Sequence, residues 1–358
     1  MAAYGLYTHI QSNRWRSVAL MIGLFLQIYL LVYAVLLPFQ DHNSILGGAW
    51  SDFLVGFPYV TVTIILWIVI AYFFHQRIID RLVHVRNVTR AEEPQLYNLL
   101  ENLCISRGMA MPKLKIIDDV ALNAFATGLT ERQYAITVTT GLKQALTAME
   151  MEAVLGHELT HIRNGDVRLL VIATIIAGVF SFFVEMIFET LLQGAGVVAD
   201  ADDGGVVVGF FIGVFAFFLI ALAWVLALFI RLWLSRHREF LADAGAVELT
   251  KNPDAIITAL RKVENRGNLT RANSAVMEMC IDDPRRGFSD IFSSHPPVVD
   301  RVQALVKFAG GHDPGPLTTA DLKKLAWLKG NVGRAAPKGL PFRIRRKAKR
   351  RSAKQRTV

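Results

Sequence analysis

The chain has 358 residues, 53% of them apolar and only 19% charged, and its mean hydropathy is +0.36. Soluble domains carry about a quarter charged residues, so this composition excludes a disordered chain and argues against a purely water-soluble one. The net charge of +9 sits mostly in one place: Lys338 to Arg356 holds ten Lys or Arg and no acid, so the basic character belongs to a tail and not to a domain face.

Four apolar runs follow in chain order. Between Arg16 and Asp41 lie 24 uncharged residues, and between Asp52 and His75 lie 22. A third run extends from Leu169 to Leu192, and a fourth places 27 uncharged residues between Asp203 and Arg231. Each exceeds the roughly 20 residues that a helix needs to cross a bilayer. Glu185 and Glu189 fall in the second half of the third run and read as acids near the outer end of its helix. The first run lacks a small-x-small cleavage pattern and reads as an uncleaved anchor. The connections 40–52 and 193–205 contain no Lys or Arg, whereas Arg14, Arg16, Arg77, Arg81, Arg86, Arg90, Arg231, Arg236 and Arg238 flank the other ends. That asymmetry puts both termini on the cytoplasmic side of the cell inner membrane in a multi-pass topology.

The organisation expected is an N-terminus over 1–16, two spans within 17–74, a first domain half over 75–166, a helical hairpin over 167–231, a second half over 232–336 and a basic disordered tail over 337–358. The tail reads as a solvated extension that touches anionic lipid. It lacks the interleaved aromatics of a nucleic-acid binder, so no specific nucleic acid is expected. Cys104 and Cys280 have no partner at metal-ligand spacing and read as free thiols in a reducing compartment.

In the first half, Pro94–Cys104 has helical periodicity, and Lys113–Ile117 and Tyr134–Thr139 read as strands, with Leu122–Thr127 as an edge strand between them. Thr147 to His161 reads as a helix capped by Thr147, with Glu150 at the capping-box position. Asn164-Gly165-Asp166 is expected to stop it. On that helix lies Gly156-His157-Glu158-Leu159-Thr160-His161. Two histidines at i and i+4 share one face and can reach a single ion, while Glu158 falls beside it, where it can deprotonate a bound water. Zinc, one ion per chain, suits that role.

A catalytic zinc site needs a third protein ligand. Asp166, five residues past His161 on a continuing helix, would point away and is expected to cap the helix end. Glu185 lies about 36 Å along a continuous helix from His161, too far to reach. Glu239 fits: His161 precedes the loop 193–205 by 32 residues and Glu239 follows it by 34, so two antiparallel helices of equal rise bring them level. Asp243, one turn further, could orient a ligating histidine through its second nitrogen. His237 is expected to face elsewhere.

The segments Gly156–Asp166, Ser235–Gly245 and Ser294–Asp300 resemble the HtpX heat-shock membrane proteases, zinc endopeptidases related to the prenyl-protein endopeptidases. The resemblance covers roughly residues 10–310 and leaves out the basic tail. It implies an α-helical membrane protein of about four transmembrane helices carrying a cytoplasmic α+β zincin-like (gluzincin) domain. It further implies His157, His161 and Glu239 as zinc ligands, Glu158 as catalytic base and Asp243 as the carboxylate behind a ligand. Asn123, Ala124, Phe125 and Ala126 are similar to the family's substrate-facing strand. His295 stands where the family has a histidine thought to stabilise the transition state; on its residues alone it is equally a loop histidine held by Pro296-Pro297. The implied partners are the bilayer and unfolded or damaged membrane proteins. Two other readings stay open on the sequence: a structural zinc site, and a peptidase specific for prenylated proteins, although four runs are fewer than such enzymes have.

Overall fold

The computed structural model describes residues 45–172, 238–269, 277, 279–281 and 295–318, with single positions between 15 and 40 and between 214 and 221. Almost all of the third and fourth apolar runs, with Glu185, Glu189 and the loop 193–205, lie outside the described residues, as do His237 and the basic tail. The chain divides into two units, Met1–Pro316 and Leu317–Val358, and every element below belongs to the first.

Helix α1 runs over Ile45–Leu82. Within it, Leu46–Arg81 is long and apolar enough to cross a membrane, and it is the one such helix among the described residues. Leu54, Val55, Val62, Leu66 and Phe73 are exposed on it. Its last turns are polar, and Gln76 and Asp80, four residues apart, share a face. That face grips a sheet: Lys115 Nζ donates to Asp80 at 2.7 Å and to Gln76 Oε1 at 3.2 Å, and Gln76 Nε2 donates to Thr127 Oγ1 at 2.9 Å.

The sheet has four strands, β1 (Val85–Asn87), β2 (Lys113–Ile117), β3 (Ala124–Thr127) and β4 (Ala135–Thr139), in the spatial order β1-β2-β4-β3. β2 and β4 are parallel, Ile116 opposite Val138, and the outer strands pair antiparallel, Phe125 opposite Thr137. Side chains alternate between an apolar core on one face and a mixed layer on the other, where Lys115, Thr127 and Thr137 stand among apolar residues. Leu114, Ile116, Ala124, Ala126, Ile136 and Val138 enter the main core. Ile117 and Phe125 enter a smaller cluster with Ile79, Met277, Met279 and Cys280.

Helix α2 (Pro94–Arg107) and the short α3 (Thr140–Ala145) flank α4 (Ala148–Asn164) on the main-core side. The capping box of α4 is formed from both sides: Glu150 N–H donates to Thr147 Oγ1 at 3.3 Å, and Thr147 N–H donates to Glu150 Oε2 at 2.7 Å. Gly165 ends the helix at φ 76°, a left-handed cap that suits glycine. Residues 238–250 form a helix beside α4, followed by α5 (Pro253–Val263) and α6 (Val298–Ala309). The core therefore draws on segments before and after residues 173–237: Val154, Leu155 and Leu159 meet Ala246, Ile256, Leu260, Val302 and Leu305.

Small residues let the 238–250 helix come close to α4. A Cβ on Gly156 would lie 3.5 Å from the Ala246 Cα, in ordinary contact, while a Cβ on Gly245 would run into the Thr160 side chain. Thr160 has little room to move because its hydroxyl donates to Gly156 O at 2.8 Å. Gly245→Val is therefore expected to push the two helices apart and destabilise the domain by about 1–3 kcal/mol. Thermal unfolding in detergent followed by circular dichroism checks this, and an unchanged midpoint would contradict it.

Candidate metal centre and active site

The i, i+4 spacing on α4 sets the His157 and His161 rings 4.6 Å apart between centroids and nearly perpendicular, at 87°. Their Nε2 atoms face each other at 3.0 Å. Each opposite nitrogen meets a carboxylate: His157 Nδ1 lies 3.0 Å from Asp243 Oδ1, and His161 Nδ1 donates to Asp166 Oδ2 at 3.0 Å. A carboxylate accepts, so both Nδ1 atoms are placed to carry a proton, which turns both Nε2 atoms toward the shared site as potential ligands. At 3.0 Å the two Nε2 nitrogens must share either a proton or a metal ion.

Glu239 completes the donor set. Its Oε2 is 3.5 Å from His157 Nε2 and its Oε1 is 3.6 Å from His161 Nε2. The ligand atoms of the three buried residues all lie within 4.8 Å of one another. A tetrahedron with metal–ligand bonds of about 2.0–2.1 Å has edges of about 3.4 Å. The residues present thus fit a zinc ion in both donor chemistry and spacing.

Charges around the centre are arranged to favour a dication. Burial alone would raise the Glu239 carboxyl, but the facing His295 and His161 hold it well below the usual carboxylate range. Asp243 is also held low against burial, by the Arg301 guanidinium and by His157. Burial would lower the His157 imidazolium, yet Asp243 and Glu239 push it up to about 9. Glu158 goes the other way: burial raises its carboxyl, with His157 and His161 offsetting only part of the effect. A carboxylate so raised is a better proton acceptor.

Three further side chains complete the setting. Arg301 is fully buried and clamps Asp243 from both nitrogens, Nε to Oδ2 at 2.8 Å and Nη2 to Oδ1 at 2.6 Å. Its Nη1 lies 3.5 Å from Glu239 Oε2 and donates to Ile281 O at 3.2 Å. Arg238 Nε is 3.8 Å from Glu239 Oε1. His295 Nδ1 is 3.4 Å from Glu239 Oε2, which brings this residue of the third motif to the centre.

The structure therefore gathers His157, Glu158, His161, Glu239, Asp243 and His295 in one place. Asp166 corrects the sequence reading. The helix does not continue past Gly165, so the angle counted along it does not apply, and the chain turns the Asp166 carboxylate back onto His161. Arg301 is absent from the sequence reading, and Arg238 enters it only as one of the arginines that set the charge asymmetry. Arg301 stands one residue beyond the third motif, which was a usable signal; Arg238 looked like an ordinary arginine next to a membrane end.

Asn123 and β3 lie beside this centre but in an unexpected condition. Asn123 is buried, its Nδ2 donating to Gly267 O at 2.6 Å and its Oδ1 accepting from Ala124 N–H at 2.9 Å and Ile281 N–H at 3.0 Å. Phe125 pairs with Cys280 in an antiparallel bridge. The strand expected to face substrate is an edge of the four-stranded sheet, yet its outer side is paired with the chain's own residues.

Removing a carboxylate behind a ligating histidine usually lowers metal affinity about 10–100-fold. Asp166→Ala is expected to do so, with Asp166→Asn milder, in a chelator-competition titration. An affinity equal to that of the parent chain would contradict the role drawn from the 3.0 Å contact.

The family model described as Peptidase family M48 matches residues 90–309. A protease HtpX homolog of Bacteroides fragilis is 35% identical over 327 residues, covering 86% of this chain and 100% of that protein. A protease HtpX homolog of Streptococcus gordonii is 33% identical over 305 residues, covering 84% and 99%. Among solved structures, Ste24p of S. mikatae aligns with a TM-score of 0.46 at 20% identity, over 80% of this chain and 67% of that one. With a family model matched over more than half its length and relatives of 33–35% identity aligned over 84–86% of it, the chain belongs to peptidase family M48 and is of the HtpX type.

Proposed function

We propose that this chain is an integral membrane zinc endopeptidase that hydrolyses unfolded or damaged membrane proteins at the cytoplasmic face of the cell inner membrane. The observation that carries the reading is the pair of Nε2 atoms converging at 3.0 Å, with Glu239 completing three corners of a tetrahedron. Three protein ligands leave a position for water or substrate, as a catalytic zinc site requires.

His157, His161 and Glu239 would hold the ion. When bound, zinc supplies Lewis acidity toward a peptide carbonyl and lowers the pKa of water toward 7. Glu158 takes a proton from the attacking water and returns it to the leaving amine. His295 lies beside Glu239 and is placed to donate to the developing oxyanion. Asp243 and Asp166 hold the two imidazoles in the tautomer that points Nε2 inward, and Arg301 holds Asp243. Membrane residence rests on α1 together with the one-sided Lys/Arg distribution.

Glu158→Gln is expected to retain zinc while cutting unfolded casein at least about 100-fold more slowly. Full residual proteolysis would remove Glu158 from the mechanism. Glu239→Ala should lower zinc occupancy far more than Glu185→Ala in metal analysis of the two purified variants; equal occupancy would break the ligand assignment. A reporter enzyme fused within 194–205 should read as outside the cell, and a cytoplasmic readout would reverse the orientation.

A further inference from the structure

An extended peptide that adds to a sheet needs backbone acceptors and donors along a free strand edge. At β3 those groups are already engaged by the chain itself. The Ile281 N–H donates to Ala124 O at 3.0 Å and to Asn123 Oδ1 at 3.0 Å, and the Ile281 carbonyl accepts from Arg301 Nη1 at 3.2 Å. Cys280 opposes Phe125, antiparallel, one residue earlier. Both backbone polar groups of one residue are therefore read by the side chain and carbonyl of the expected substrate strand and by a guanidinium of the catalytic centre. The same Arg301 nitrogen lies 3.5 Å from Glu239 Oε2, so a single planar group separates Ile281 from a proposed metal ligand. Cys280 and Ile281 are buried, the former in the cluster around Phe125 and the latter in the main core.

We propose that residues 280–281 are an internal stand-in for substrate: the resting chain keeps its own strand in the peptide position, and an unfolded polypeptide must displace it to be cut. This rests on the peptidase reading above. It follows that apparent substrate affinity is reduced by the fraction of chains in which the strand is released. A partner that offers an extended stretch of backbone can compete; a folded surface cannot, because it has no free strand to exchange.

The test uses the full-length chain in detergent, in a Cys104→Ser background. Phe125→Cys places a second thiol opposite Cys280. The pair is flanked by the Ile281–Ala124 hydrogen bond and not joined by it, the kind of opposed pair whose side chains approach closely enough for a disulfide. Oxidising this variant is expected to slow casein cleavage at least tenfold relative to its own reduced form, with zinc content unchanged and the rate restored by reductant. In a separate Glu158→Gln chain, saturating casein is expected to accelerate maleimide labelling of Cys280 at least threefold. Ile281→Pro, which removes the shared N–H, is expected to lower KM about fivefold with kcat unchanged. An oxidised variant as fast as its reduced form, or Cys280 labelling indifferent to casein at concentrations that saturate binding, would overturn the proposal. A parent chain that leaves casein uncut under every condition would instead bring down the peptidase reading on which it rests.

Discussion

Two imidazole nitrogens meet at 3.0 Å in a buried setting, each with its far side fixed by a carboxylate. Nitrogens this close must share a proton or a metal ion between them, and much of the surrounding structure is arranged around that constraint. The helix that carries Glu239 must come within a few ångströms of α4, which Gly156, Ala246 and Gly245 allow. One of the carboxylates that orient the rings, Asp243, is itself neutralised by a two-pronged contact with Arg301. Breaking a buried pair of this kind by removing one partner is costly, because it leaves the other charge unpaired. The metal centre and the helix packing are thus one device.

Local signals in the sequence were strong where the physics is local. The Thr147/Glu150 box, the strand Lys113–Ile117 and the helix starting at Pro94 depend on near neighbours and appear where the pattern puts them. The i, i+4 histidines are equally local. Glu239 needed a longer argument, equal rise along two arms of a hairpin, and it does arrive level with His161 although most of those arms lie outside the described residues. Asp166 was misread because the angle was counted along a helix that Gly165 had already ended. Arg301 reaches the site through the packing of α6 on the core, and its place one residue after the third motif was the only local sign of a buried guanidinium.

The membrane and the chemistry are joined through the sheet. Gln76 and Asp80, on the last turns of α1, bond to Thr127 and Lys115, so the end of the apolar helix is fastened to β3 and β2. β3 in turn carries Ala124 and Phe125, the residues paired with Ile281 and Cys280. One strand thereby links the end of the apolar helix to residues 280–281, which reach the candidate metal centre through Arg301.

X-ray absorption at the zinc K-edge of the purified full-length chain tests the centre most directly. The geometry predicts two imidazole nitrogens at about 2.0–2.1 Å with the remaining ligands oxygen, one of them exchangeable. A first shell containing sulfur, or one closed by four protein donors with no exchangeable oxygen, would contradict it.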